Sequence, residues 1–109
     1  MINLPPTFRK NGFDYEILQR KNNIAILKKT RQTAEGLIIG YETIKVLVMN
    51  NITTPQGNFY PAHEVIPSNE QFGSSGWDYE HYENALNKFN ILIKKEINKK
   101  IEEVKNENC

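Results

Sequence analysis

The residues best suited to chemistry in this chain are two histidines, three serines and one cysteine. His63 and His81 stand eighteen positions apart, and neither has a second ligand at the helical or hairpin spacing that a zinc site requires. His63-Glu64 matches only the first two letters of a zinc-protease helix. No second histidine follows three residues later, and Pro61 and Pro67 oppose a helix there. Ser68, Ser74 and Ser75 lack the Gly-x-Ser-x-Gly strand-to-helix setting that sharpens a nucleophile, so they read as turn and capping residues. Gly73 and Gly76 do not lead into the Lys-Ser/Thr pair of a phosphate-binding loop. Cys109 is alone, which excludes an internal disulfide and a thiolate metal cluster. Glu102 and Glu103 form a carboxylate pair whose default place is a solvated helix face. The expectation is a binding protein, not an enzyme, with no cofactor and no metal.

Charge is arranged unevenly along the chain. Residues 1–56 carry eight Lys and Arg against four Asp and Glu, while residues 57–109 carry six against nine. Arg20, Lys21, Lys28, Lys29 and Arg31 gather around predicted strand ends and turns, with Phe8, Phe13 and Tyr15 nearby. Such a mixture can follow a phosphate backbone and stack bases, so nucleic-acid binding is one reading of it. The other is edge protection, because Lys and Arg at strand ends discourage strand addition. A pI near 7.8 falls short of the basic signature of nucleic-acid modules and favours the second.

Residues 61–83 hold Glu64, Glu70, Asp78, Glu80 and Glu83 and no Lys or Arg. Within this acidic stretch Phe72, Trp77 and Tyr79 are set among Gly73, Gly76 and the serines. Two roles compete for these aromatics. They can pin a structured loop onto the core, or they can present a partner-binding surface, since Trp and Tyr dominate interface hot spots. A protein partner, engaged through this aromatic loop or through an exposed sheet edge, is the main expectation, and nucleic acid held by the basic residues at a sheet end is the alternative.

A framework must position these groups, and 109 residues suffice for one domain with one core. Residues 1–10, with Pro5-Pro6, read as an extended leader into the Asn11-Gly12 turn. Phe13, Tyr15 and Ile17 alternate with Asp14, Glu16 and Leu18 as a half-buried strand does. Asn22-Asn23 turns the chain into a second strand from Ile24. Leu37 to Met49 gives the strongest strand signal, with Gly40 marking a bulge or bend. Phe59 to Ile66 is a Pro-flanked edge strand, which closes the sheet region at residues 13–66.

Residues 67–78 read as a structured loop, and Asp78 as the N-cap of a helix over 79–105. In that helix Tyr82, Ala85, Leu86, Phe89, Leu92, Ile93, Ile97, Ile101 and Val104 recur at threes and fours. The fold class predicted is α+β: a three- to four-stranded antiparallel meander packed against one long C-terminal helix. A helix of that length is roughly 40 Å at 1.5 Å per residue and overhangs strands of about 20 Å, leaving Ile97, Ile101 and Val104 to fray or to meet a second copy of the chain. The longest apolar stretches fall far short of the roughly 18 residues of a membrane span, and no signal-like segment opens the chain. A cytoplasmic protein with no membrane contact is expected.

Several short runs resemble known small proteins. These are Asn11-Gly12-Phe13-Asp14-Tyr15-Glu16, Gly40-Tyr41-Glu42 into Lys45-Val46, Pro67 to Gly73, Gly76-Trp77-Asp78-Tyr79, Ala85, and Lys88-Phe89-Asn90. Over residues 4–92 the chain resembles short proteins of tailed bacteriophages and of Bacteroidetes mobile elements. The resemblance implies a phage accessory protein acting in host cytoplasm and carries no activity with it. Ala85 and Phe89 after a sheet also resemble the WGR domain, which implies DNA binding. The defining Trp-Gly-Arg is absent, and Phe72-Gly73-Ser74 stands in its place.

Overall fold

The computed structural model describes residues 2–68, 71 and 73–107, the last six by backbone alone. Among these residues nine strands precede one helix, and the class is α+β as expected. Five strands form the main antiparallel sheet in the order β1-β2-β3-β4-β9: β1 (Thr7–Lys10), β2 (Phe13–Lys21), β3 (Ile24–Thr33), β4 (Gly36–Lys45) and β9 (Gly76–Tyr79). Two small ribbons stand apart from it, β5 (Leu47–Met49) with β8 (His63–Val65), and β6 (Ile52–Thr53) with β7 (Phe59–Tyr60). The helix α1 spans Tyr82–Glu107.

Turn chemistry sets the register. Asn11 and Gly12 both take positive φ, 54° and 82°, which is the geometry of a two-residue hairpin turn whose twist matches its strands. The chain thereby folds back one strand earlier than expected. Thr7–Lys10 pairs with Phe13–Glu16, so the supposed leader is a sheet strand. Asn22, at φ 55°, turns β2 into β3, and Ala34-Glu35 joins β3 to β4 below the Thr33–Gly36 pair.

The bulge expected at Gly40 is also displaced. The β3–β4 ladder runs unbroken through Gly40, and the irregularity lies in β2 between Ile17 and Gln19. One extra residue there, Leu18, shifts the alternation. Arg20, opposite Ala25, therefore shares a face with Tyr15 and Ile17. Gly40 serves close approach instead, since a Cβ built on it would lie 3.0 Å from Cε of Lys29.

Both faces of the sheet are covered. On one, Ile24 and Ile26 pack with Ala85, Phe89 and Leu92 of α1, flanked by Tyr41, Trp77 and Tyr79. On the other, Tyr15, Ala25, Leu27 and Ile44 pack with Val46 and Ile66, and with Leu4 and Phe8. This double burial is why Ile24-Ala25-Ile26-Leu27 is a continuous apolar run, without the in-out alternation of a strand that faces water on one side. Thr43 Oγ1 donates to the Ala85 carbonyl at 2.7 Å and ties β4 to the helix.

Two further expectations give way. Phe59 to Ile66 is split by Pro61 into β7 and β8, neither of which joins the main sheet. Asp78 is not an N-cap, and the helix does not begin at Tyr79. Residues 76–79 are a strand paired to β4, with Tyr79 opposite Tyr41, and the chain bends at Glu80-His81 before α1. Pairing with an open sheet edge satisfied this backbone first, and alternating aromatics suit a strand. At the far end Ile97 and Ile101 are about half exposed, as an overhanging helix requires. Among the described residues, no helix is long and apolar enough to cross a membrane.

Candidate functional site

The five basic residues do not assemble into one surface. Arg20, Lys29 and Arg31 lie on the Tyr15 face, whereas Lys21, opposite Ile24, and Lys28, opposite Glu16, lie on the helix face. Arg20 is held by Glu64 of β8, with Nη1–Oε1 at 2.8 Å and Nη2–Oε2 at 2.5 Å, and it also reaches the Asn22 carbonyl. Glu64 accepts from the Leu4 backbone N–H at 3.0 Å as well. The Arg20 hydrogen bonds, helped by that amide and opposed by burial, draw the Glu64 carboxyl down to about 2. This pair is a clamp that fastens the N-terminal segment and β8 to β2. Arg31 stands over the Phe13 ring, 5.7 Å from its centroid.

Lys29 belongs to a second charged group that sequence reasoning missed. Its Nζ lies 2.6 Å from Oδ1 of Asp78 and 3.4 Å from Oε1 of Glu42, and 5.3 Å from the Phe13 ring centre. Glu42 is only 3% exposed, and its Oε2 has no hydrogen-bond partner among the described residues. Burial, reinforced by Asp78 and opposed by Lys29, pushes Glu42 up to about 7. Burial and the neighbouring Glu42 and Asp78 carboxylates push Tyr15 up to about 12. Residues 13, 15, 29, 42 and 78 are scattered in sequence. Only the registers Tyr15–Lys29, Leu27–Glu42 and Glu42–Asp78 bring this cluster together, so no spacing could have announced it.

Of the aromatic candidates, Phe72 lies outside the described residues. Trp77 and Tyr79 are half-buried on β9, on the helix side of the sheet. Lys88 Nζ sits 4.2 Å from the Trp77 ring centre and Lys45 Nζ 6.0 Å from it. Tyr41 and Tyr82 meet edge to face at 5.9 Å.

The surface left open is the first half of β4. Strand β9 covers only Tyr41 to Ile44, and beyond it Leu37, Ile38 and Ile39 are 55%, 49% and 45% exposed. Backbone groups alternate along a strand, so their directions can be read from the neighbouring bonds. Lys45 N–H donates outward to the Ser75 carbonyl, and Val46 N–H donates inward to Asn23 beside β3. By that alternation the N–H and C=O of Leu37 and Ile39 face outward, and those of Ile38 and Gly40 face β3. Among the described residues no strand takes up the outward groups of Leu37 and Ile39. Next to them, Phe13, Lys29, Ile38, Gly40, Asp78 and Tyr79 line a shallow recess.

A second exposed apolar surface, also missed, is the β6–β7 ribbon with Ile52, Phe59 and Tyr60. Its aromatic and β-branched residues read equally well as core strand, and only the separation of the ribbon from the main sheet exposes them. Comparison of the chain with protein-family models, with curated proteins and with solved structures returns no match.

Proposed function

We propose that this protein is a non-catalytic interaction module that accepts an extended polypeptide segment as an added strand along Gly36–Gly40 of β4. The carrying observation is the outer edge itself: two residues whose outward backbone groups have no strand partner among the described residues, three consecutive exposed aliphatic side chains and no charge within the segment. Unpaired edges of this kind recruit strands, with backbone hydrogen bonds giving affinity and alternate side chains giving selectivity. Natural edges are normally blunted by charge or proline, and Gly36–Gly40 has neither. The cations that could have blunted it, Lys29 and Arg31, sit one strand away and are engaged by Asp78, Glu42 and the Phe13 ring.

Ile39→Pro separates this role from simple hydrophobic contact. Proline removes the outward N–H at that position and leaves the β3–β4 ladder intact, since residue 39 does not donate to β3. Peptides selected from a random displayed library on the immobilised protein should bind in extended form and lose binding to the I39P variant. Peptides that bind wild type and variant equally would refute strand addition at this edge.

A further inference from the structure

We infer that the strand accepted by this edge is the same segment of a second copy, giving a two-fold dimer with a continuous sheet through both copies. The inference rests on the strand-accepting reading and names its partner. Its basis is the register that the open groups permit. Outward groups are free at Leu37 and Ile39, whereas those of Tyr41 are occupied by Tyr79. A symmetric antiparallel pairing centred on Leu37 would set Ile39 against Glu35 in the turn. One centred on Ile39 would set Leu37 against the occupied Tyr41. Centring on Ile38 alone sets Leu37 of each copy against Ile39 of the other, so that all four outward residues pair and four backbone hydrogen bonds form.

Side chains agree with that register. Leu37 and Ile39 share the helix face, so the two copies together place four aliphatic side chains in one patch, while Ile38 of each copy meets its equivalent on the opposite face. No charge lies within the paired segments, so self-pairing brings no like charges opposite each other inside the ladder. At its ends Gly36 faces Gly40 of the second copy. Five residues per copy make a small interface, below the area of a permanent dimer, so the association should be reversible and concentration-dependent.

Cross-linking reads the register directly. In a Cys109→Ser background, Ile38→Cys places the new thiols across the two-fold axis at a non-hydrogen-bonded pair, where Cα atoms stand about 4.5 Å apart, within disulfide range. Under mild oxidation in native buffer I38C should form a covalent dimer. L37C and I39C should each stay largely monomeric, because their own equivalents are not opposite. Sedimentation velocity of the wild-type chain should show a monomer–dimer equilibrium that Ile38→Lys abolishes, with unchanged circular dichroism showing that the variant folds. A wild-type chain that is monomeric at all concentrations, with no I38C cross-link, overturns the dimer. If library peptides then still bind in an Ile39-dependent way, strand acceptance stands and only the self-partner fails. If neither occurs, both fall. Equal cross-linking at 37, 38 and 39 also overturns the proposed register.

Discussion

Replacing Glu42 by glutamine should change how stability depends on pH. Glu42 is buried among Tyr15 of β2, Lys29 of β3 and Asp78 of β9, and its carboxyl is raised from an ordinary 4.5 to about 7, first by burial and then by Asp78. A group whose pKa is higher in the folded chain than in the unfolded one stabilises the fold fully below the unfolded value. That contribution is lost as pH climbs through the folded value. Between these limits the unfolded chain has released its proton and the folded chain still holds it. At about 1.4 kcal/mol per pH unit, the interval from 4.5 to about 7 corresponds to roughly 3 kcal/mol. Glutamine keeps the shape and the hydrogen-bonding capacity without the titration. Urea unfolding followed by fluorescence of Trp77, the only tryptophan, over about pH 4 to pH 8 gives the test. The stability of wild type minus that of E42Q should fall by roughly 3 kcal/mol across that range and then level off. Parallel curves would show that Glu42 ionises in the fold as freely as in water, and would refute the reasoning.

At the other carboxylate the sign reverses. Glu64 is drawn down to about 2 by Arg20, so its contribution is complete above 4.5 and disappears as pH falls toward 2. Arg20→Ala should flatten this acid limb and lower stability at neutral pH by about 1.5–3 kcal/mol, the range for a hydrogen bond to a charged group; an unchanged acid limb in denaturation would count against the clamp. Nucleic acid offers a third check. With Arg20 and Lys29 neutralised and Lys21 and Lys28 on the other face, labelled single- and double-stranded DNA and RNA should show no salt-sensitive binding near 50 mM salt. Binding that weakens steeply with salt and is lost in Lys28→Gln and Arg31→Gln variants would restore the basic surface.

Local chemistry was legible in the residues themselves. Asn11-Gly12 and Asn22-Asn23 turn the chain, with Asn11, Gly12 and Asn22 in left-handed backbone conformations that these residue types adopt most cheaply, and Ala85, Phe89 and Leu92 recur at helical spacing and face the sheet. These follow from covalent geometry and periodicity, which act within a few residues. The sequence alone thus determined an antiparallel sheet closed by a helix. It misplaced what depends on competition between distant segments. Asp78 has the chemistry of a helix cap, yet β4 offered residues 76–79 a ladder, and the strand prevailed. The leader became β1 for the same reason.

The charged residues show the division most plainly. Arg20, Lys29 and Arg31 look like a basic patch when read in order. The Leu18 bulge and the sheet register instead deliver Arg20 to Glu64, and Lys29 to Glu42 and Asp78, partners 44, 13 and 49 residues away. Leu37-Ile38-Ile39 looks like core strand in any sequence reading. It is open because β9 ends at Tyr79, before it reaches Gly40. Residue type set which strands could form, since side-chain shape and backbone preference are local. Which edge was left without a neighbour was decided by tertiary structure, because the length of one strand against another is fixed only when they pair.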